Sequence, residues 1–139
     1  MRKIAVALCL DNKGGMTFFG KRQSRDRVLI SEFVKSNSRR EIHAENYSSI
    51  LFEGHENITV SDNPLRDCPD GGTCFIEKCD ILPYLDDIDI FIIYKWNTAY
   101  PADKVFPVNL RQNGFTLLGK VDFVGSSHDK ITKETYRRK

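Results

Sequence analysis

The stretch IDIFIIYK, Ile88–Lys95, carries the strongest strand pattern in the chain. Its residues are mainly β-branched and aromatic, the side chains that favour strands. A second run, IAVALCL at Ile4–Leu10, is almost continuously apolar, which is typical of a strand in the centre of a sheet. With 139 residues, the chain has the length of one domain, which we place at 1–139.

Shorter elements lie around these two strands. Leucine, isoleucine, phenylalanine and valine at i, i+4 spacing predict an amphipathic helix over Arg25–Ser36, with Ser24 as N-cap and Asn37 as its end. Strands that alternate with short helices predict the α/β class. Phe115–Phe123 and Ile131–Arg138 alternate in polarity and predict a C-terminal antiparallel strand pair at a sheet edge.

Composition predicts a soluble, cytoplasmic protein without a membrane segment. Apolar residues make up 40% of the chain and charged residues 29%, and no apolar run approaches the ~18 residues of a membrane span. The first apolar run is short and meets Asp11, so it predicts a strand and not a signal peptide. The cysteines lack zinc-type spacing and are predicted to be reduced thiols: Cys9, Cys68, Cys74 and Cys79.

Charge is unevenly distributed along the chain, although the net charge is only +2. Residues 1–40 hold ten Lys/Arg and three Asp/Glu, residues 41–104 hold four and thirteen, and residues 105–139 hold seven and three. If the two ends meet in the fold, they form a basic surface that attracts phosphates, acidic partners or RNA. A solvated surface of mixed charge is the alternative interpretation.

Several passages resemble dihydrofolate reductase. LPYLDDIDIFIIYKWNTAYPADKVFPV (82–108) is similar to the family's passage in which a short helix leads into a central strand and a loop ending in Phe-Pro. HENITVSDNP (55–64) resembles a further strand of the family, and IAVALCLD its first strand. The last two predicted strands look like its closing antiparallel pair. The resemblance covers most of the chain and implies a small mixed sheet with short flanking helices.

The functional residues of that family do not carry over. The resemblance places Leu29 at the substrate-protonating carboxylate and Ala44–Tyr47 at a Gly-Arg cofactor motif. It places Glu77-Lys78 at the glycine-rich turn that holds the cofactor's pyrophosphate, and Phe91–Ile93 near a threonine that contacts the pterin. No arginine lies within 41–65 to hold the folate glutamate. A working folate reductase is therefore not expected, and glutamates in two of these segments would repel a pyrophosphate.

A second resemblance is to a group of small bacterial proteins that carry the label ribonuclease Z. It rests on the segments GGMTF, RQSRDRVL, YKWN, YPAD and GSSHDKITKE. That nuclease requires two zinc ions held by a clustered H-x-H-x-D-H motif. The histidines here, His43, His55 and His128, are far apart in sequence. The residues therefore do not support zinc-dependent nuclease activity.

The loop at 14–26 contains Gly15-x-x-x-x-Gly20-Lys21, most of a phosphate-binding P-loop pattern. Arg22 stands where the pattern requires Ser or Thr, and a guanidinium cannot bind Mg²⁺. We therefore interpret the spacing as a coincidence. Bulky residues in this loop, Met16, Phe18 and Phe19, are expected to fill a shrunken cleft if the loop is only structural.

The second half of this loop still carries groups that suit an anion. Arg22, Gln23, Ser24 and Arg25 surround a predicted helix start, whose free N–H groups attract negative charge. His128 and Lys130, in the turn between the last two strands, are the further candidate anion ligands. The alternative is that Arg25 or Arg27 pairs with the acidic middle of the chain. A Ser–His pair within GSSHDK is interpreted as part of a hairpin turn, because adjacent residues rarely reach triad geometry.

Trp96 and Tyr100 follow the central strand, where the clefts of open sheets lie. They are candidate cleft aromatics that could stack on a base, with core packing as the alternative.

Together these patterns predict a non-catalytic binding or interaction protein without catalytic residues, metal or cofactor. The basic loop is expected to recognise an anionic small molecule or an acidic protein surface, with nucleic acid as a weaker candidate. The alternative is an enzyme that acts on a nucleotide- or pterin-like substrate in a remnant reductase cleft. That enzyme would be an NADPH-dependent reductase or, following the label, an RNA-processing nuclease.

Overall fold

The computed structural model describes residues 2–139. The strands are β1 (Ile4–Leu10), β2 (Gly15–Phe18), β3 (Lys21–Arg22), β4 (Ile42–Glu45), β5 (Ile58–Ser61), β6 (Thr73–Phe75), β7 (Ile88–Lys95), β8 (Lys104–Val105), β9 (Phe115–Phe123) and β10 (Ile131–Arg138). The α-helices are α1 (Arg27–Ser36) and α2 (Pro64–Asp67), and 3₁₀ helices span Asn46–Phe52 and Leu82–Asp87.

Seven strands form one mixed sheet in the order β5-β4-β6-β1-β7-β10-β9. The first five of these strands in that order run parallel to one another, whereas β10 is antiparallel to both β7 and β9. The predicted α/β class, the central position of β1 and the C-terminal antiparallel pair are therefore confirmed. A small second sheet has the order β3-β2-β8.

The core lies on both faces of the large sheet, because successive side chains of a strand point to opposite faces. On one face, Val6 and Leu8 of β1 pack with Phe91 and Ile93 of β7. On the other face, Ile92 and Tyr94 of β7 belong to the cluster completed by three apolar side chains of α1, Leu29, Ile30 and Phe33. Burial on both faces explains the nearly continuous apolar character of β1 and β7.

Helix α1 begins two residues later than predicted, and its N-cap is Asp26 instead of Ser24. The Asp26 carboxylate accepts hydrogen bonds from the backbone N–H groups of Val28 at 2.9 Å and Leu29 at 3.1 Å. A carboxylate also complements the positive end of the helix dipole better than a hydroxyl does. The predicted end of the helix at Asn37 is confirmed.

The loop at 14–26 contains the short hairpin β2–β3. Gly15 is required at its start, because a Cβ there would lie 2.6 Å from Cβ of Ala102 and 2.7 Å from Oδ2 of Asp11. Phe18 and Phe19 are exposed, with 76% of the Phe19 surface accessible, so the prediction that they fill a cleft is wrong. Only Met16 of the three bulky residues is buried.

Two further short elements connect the longer strands. Helix α2 lies between β5 and β6, and β8 lies between β7 and β9. Elements of two to four residues carry too little periodicity to be distinguished from turns in a sequence. Within residues 2–139, none of the helices has the length and apolar character that crossing a membrane requires.

Candidate functional site

Asp26, His128 and Ser24 form a hydrogen-bonded chain at the start of α1. His128 Nδ1 lies 3.0 Å from Oδ2 of Asp26, and His128 Nε2 lies 3.0 Å from Oγ of Ser24. A carboxylate can only accept, so Nδ1 carries a proton, and in the neutral form of the ring Nε2 accepts from the serine hydroxyl. The three side chains therefore have the order and distances of an acid–base–nucleophile triad.

Asp26 is fixed by more hydrogen bonds than a helix cap needs. Besides the two N–H groups of α1, it accepts from the backbone N–H groups of Ser126 at 2.9 Å and Ser127 at 2.8 Å. These contacts join the start of α1 to the turn between β9 and β10. Gly125 permits this approach, because a Cβ there would lie 2.8 Å from Cγ of Asp26.

The charge of Asp26 is stabilised strongly in the folded protein. Its side chain is fully buried, and burial alone would raise the pKa of the carboxyl. Hydrogen bonds from His128, from the N–H groups of Ser127 and Ser126 and from that of Leu29 outweigh burial and hold the pKa of Asp26 well below its usual range. Asp26 is therefore ionised and can keep His128 in a single orientation.

The two predicted cleft aromatics both contact His128. The Trp96 ring stacks on the His128 ring with centroids 4.4 Å apart and an angle of 26° between the planes. The Tyr100 hydroxyl lies 3.2 Å from Nε2 of His128, so it is a second donor to the same nitrogen as Ser24. Trp96 itself is buried. Both aromatic residues thus position the histidine, and stacking on a base stays a prediction.

Arg22 binds Glu77 and not the Asp26, His128 and Ser24 side chains. The carboxylate of Glu77 neutralises its charge. The guanidinium binds both carboxylate oxygens, with Nε 2.9 Å from Oε2 and Nη2 3.0 Å from Oε1, and it lies over the Tyr47 ring at 4.3 Å. Ser48 Oγ donates to the same carboxylate at 2.6 Å. An arginine of the loop thus pairs with the acidic middle of the chain, but it is Arg22 and not Arg25 or Arg27, for which this pairing is expected as the alternative.

The side-chain carboxylate of Glu45, the last residue of β4, lies in the turn after β6. Its carboxylate accepts from three consecutive backbone N–H groups, those of Glu77, Lys78 at 2.9 Å and Cys79 at 3.2 Å. Successive N–H groups that converge in this way form an anion-binding nest. Here the anion is supplied by the chain itself, from the end of β4.

The cleft between β1, α1 and β6 is nearly closed. Its lining includes the side chains of Cys9, Met16, Leu29, Phe75 and Trp96, with Ser24 at its polar side. The cavity volume is about 20 Å³, which suffices for about one water molecule. Burial raises the pKa of the Cys9 thiol well above its usual value, with the negative charge of Glu77 adding to this, so the thiol of this half-buried residue stays protonated.

The other predicted anion ligands are dispersed. Gln23 Nε2 donates to Asp11 at 2.9 Å, and Lys130 pairs with Asp122 at 3.6 Å on the surface. Arg25 is exposed and has no ion-pair partner among residues 2–139, and the same holds for Arg27. Both arginines line an open groove of about 330 Å³ that also includes Ser127 and Glu53.

A solved structure is similar to this chain over almost its whole length. A dihydrofolate reductase from Enterococcus faecalis, complexed with NADP(H) and RAB-propyl, superposes with a TM-score of 0.69. The chain has a dihydrofolate reductase-like fold. The alignment covers 97% of this chain and 95% of that reductase at 14% sequence identity, so the likeness concerns the fold alone. No protein-family model matches the chain, and no curated protein matches its sequence.

The sequence does not indicate that Asp26 and His128 belong to one site. It predicts His128 as an anion ligand in the GSSHDK turn and assigns Asp26 no role. The two residues lie 102 positions apart, and no periodicity or motif connects them. Among residues 2–139 no cluster of three or more His, Cys, Asp or Glu side chains could hold a metal ion.

Proposed function

We propose that this chain is a binding protein for a small anionic ligand and that the exposed arginines at the start of α1 recognise it. The observation that carries this proposal is the pair of exposed guanidinium groups, Arg25 and Arg27, on one groove of about 330 Å³. A groove of this size lies within the range of small-molecule sites. Two unpaired cations next to a helix N-terminus oppose its dipole, and a bound anion would offset them.

The nest at Glu77–Cys79 supports a binding role different from that of a reductase. The enterococcal structure contains NADP(H), and the resemblance places the cofactor's pyrophosphate at this turn. In this chain Glu45 already provides the negative charge that the turn binds. A pyrophosphate there would meet the carboxylates of Glu45 and Glu77 at short range, and repulsion between like charges in a partly buried site is strong.

The nearly closed cleft between β1, α1 and β6 also argues against a reductase. A cavity of about 20 Å³ does not accommodate a nicotinamide or pterin ring. An NADPH-dependent reductase would therefore need β1, α1 and β6 to move apart. A zinc-dependent nuclease has no support from the described residues either, since none of their side chains cluster in a metal-ligating group.

The test is a titration of the intact protein at low salt. Binding is measured by calorimetry and by the shift in melting temperature. The probes are pyrophosphate, ATP, NADPH, folate and an RNA oligomer. We expect pyrophosphate and ATP to bind, and NADPH to bind no more tightly than ATP. In the double variant Arg25→Ala/Arg27→Ala, affinity is expected to fall about tenfold or more, because each charge-assisted hydrogen bond contributes about 1.5–3 kcal/mol.

The matched control is Arg39→Ala/Arg40→Ala, which removes the same charge from two exposed arginines after the other end of α1. Equal loss of affinity in both double variants would mean a nonspecific charge effect and would overturn the proposal. Tight NADPH binding that survives the Arg25→Ala/Arg27→Ala change would instead favour the reductase alternative. Binding of the RNA oligomer alone would indicate a nucleic-acid partner. Glu53→Gln, on the same groove, is expected to strengthen pyrophosphate binding.

A further inference from the structure

We infer that Ser24 is an acyl-accepting nucleophile, activated by His128 and Asp26, and that its substrate class is an ester with a short acyl group. The inference goes beyond anion binding and does not rest on it. It rests on the hydrogen-bonded side chains of Asp26, His128 and Ser24. The Asp26–His128 and His128–Ser24 distances are both 3.0 Å. Nucleophile, base and orienting carboxylate within hydrogen-bond reach are the signature of this chemistry.

The surroundings of the histidine are those of a working base. Asp26 is fully buried and the His128 side chain is only 8% exposed, whereas Ser24 is half-buried and lines the cleft. Trp96 stacking and the Nδ1 bond to Asp26 fix the ring in one orientation. A fixed ring whose Nε2 lies 3.0 Å from the Ser24 hydroxyl and 3.2 Å from the Tyr100 hydroxyl needs no rotation before it takes the serine proton.

The reaction follows from these positions. Ser24 Oγ attacks the ester carbonyl carbon, and its proton passes to Nε2 of His128. The bond between that carbon and the leaving alcohol oxygen breaks, and the alcohol takes the proton from Nε2. Water then attacks the acyl-serine and gives a proton to Nε2. The bond to Oγ breaks, Oγ recovers the proton, and a carboxylic acid leaves, so atoms and charge balance without a redox partner.

Donors for the developing oxyanion lie next to the nucleophile. The backbone N–H groups of Ser24 and Arg25 donate to no acceptor within the described residues 2–139. In known hydrolases the oxyanion hole includes the N–H of the nucleophile in one fold and the N–H of the residue after the nucleophile in another. Removing one such donor elsewhere costs about 10²–10³ in rate, so their availability matters to the proposal.

Two spaces of different size define the substrate. The cavity of about 20 Å³ beside Ser24 has apolar walls, including Leu29 and Phe75, and accepts only a group of about the size of a methyl. His128 lines a second space, an open groove of about 480 Å³, together with Trp96, Tyr100 and Lys130. The acyl group is therefore expected in the cavity and the leaving alcohol in the groove, where Nε2 can protonate it.

The experiment treats the intact protein with a fluorophosphonate probe and p-nitrophenyl acetate, and maps the modified residue by peptide mass spectrometry. We expect a covalent adduct on Ser24. We expect acetate ester cleavage to exceed octanoate ester cleavage by at least about tenfold. Ser24→Ala and His128→Gln are each expected to lower the rate of acetate ester cleavage by at least about 100-fold, the low end for general-base catalysis.

Ser38→Ala is the matched control, because Ser38 is an exposed serine beyond the far end of α1 that lines neither the cavity beside Ser24 nor the two grooves. It is expected to react as the unchanged protein does. Modification of Ser127, of a lysine or of no residue in the folded unchanged protein would overturn the inference. Because the adduct is mapped in the unchanged protein, this outcome holds even if Ser24→Ala or His128→Gln fails to fold. Labelling of Ser24 in Arg25→Ala/Arg27→Ala separates this inference from anion binding.

Discussion

Asp26 and His128 are separated by 102 residues in the sequence and lie 3.0 Å apart in the fold. This contact joins the start of α1 to the turn between β9 and β10. The Asp26 carboxylate therefore connects two segments that belong to the two basic ends of the sequence. The same contact orients the ring that accepts from Ser24. Stability and the candidate chemistry therefore depend on the same side chain.

Asp26→Asn is expected to lower the free energy of unfolding by about 2–4 kcal/mol, measured by urea denaturation. The amide keeps the shape of the cap but removes the charge that five hydrogen bonds stabilise, and each bond to a charged group contributes about 1.5–3 kcal/mol before relaxation. Asp129→Asn, an exposed change directly after His128, is the control and should stay within about 0.5 kcal/mol. Equal stability of the two variants would contradict a stabilising role for Asp26.

The depressed pKa of Asp26 predicts loss of stability in acid. Because the folded protein binds this proton less readily than the unfolded chain, the contribution is complete above the ordinary carboxyl range, near about 3.9. It falls as pH drops below about 5 and continues to fall toward the lower pKa of the folded state. The free energy of unfolding should therefore decrease more steeply from pH 5 to pH 3 in the unchanged protein than in Asp26→Asn. Parallel slopes would show that other carboxylates carry the acid sensitivity.

Much of the sheet could be predicted from the sequence because its central strands are buried on both faces. A strand in that position needs apolar side chains at almost every residue, and β1 and β7 have the predicted bounds Ile4–Leu10 and Ile88–Lys95. The short elements β3, β8 and α2 were not predicted, since two to four residues are held by their neighbours and not by a pattern of their own. The N-cap was misplaced because Ser24 and Asp26 are both good caps, and the choice depends on a turn distant in sequence.

The site could be predicted only in its residue types. The sequence predicts two anion ligands, Ser24 and His128, and two cleft aromatics, Trp96 and Tyr100, but it does not connect them with one another. Their convergence on one imidazole depends on how α1, the end of β7 and the β9–β10 turn meet, which is a property of the tertiary structure. The sequence also contains no signal that distinguishes Arg22, which is neutralised, from Arg25, which is exposed.

Arg22→Ala is expected to lower the free energy of unfolding by about 3–5 kcal/mol. The change leaves the Glu77 carboxylate, whose side chain is only 10% exposed, without its cation, and an unpaired buried charge is costly. Arg22→Ala/Glu77→Gln should recover part of this loss because the orphaned charge is removed as well. The measurement is a double-mutant cycle in urea with Glu77→Gln as the fourth species. Additive single effects would contradict a direct interaction between the two side chains.

Glu45→Gln tests whether the nest after β6 requires a negative charge. We expect a loss of about 1–3 kcal/mol, because the hydrogen bonds from Glu77–Cys79 become bonds to a neutral acceptor. Glu56→Gln is the control, since Glu56 is exposed on the surface. NADPH should still not bind to Glu45→Gln, because Glu77 and the closed cleft remain. A thermal shift with NADPH in this variant, absent in the unchanged protein, would show that Glu45 alone blocks the cofactor.

Gly125→Ala tests the close approach that places Asp26 against the β9–β10 turn. The added methyl would lie 2.8 Å from Cγ of Asp26 and 2.8 Å from Cδ1 of Ile131, so the turn must shift and the hydrogen bonds to Asp26 must lengthen. We expect a loss of about 1–3 kcal/mol in stability, as for other overpacked sites. Labelling of Ser24 by the fluorophosphonate should also slow, because His128 moves with the turn. Gly119→Ala is the matched control in β9, where an added Cβ has no atom within 4 Å. A Gly125→Ala variant with the stability and labelling rate of Gly119→Ala would mean that the turn adapts freely, and Asp26 would then not fix the position of the histidine.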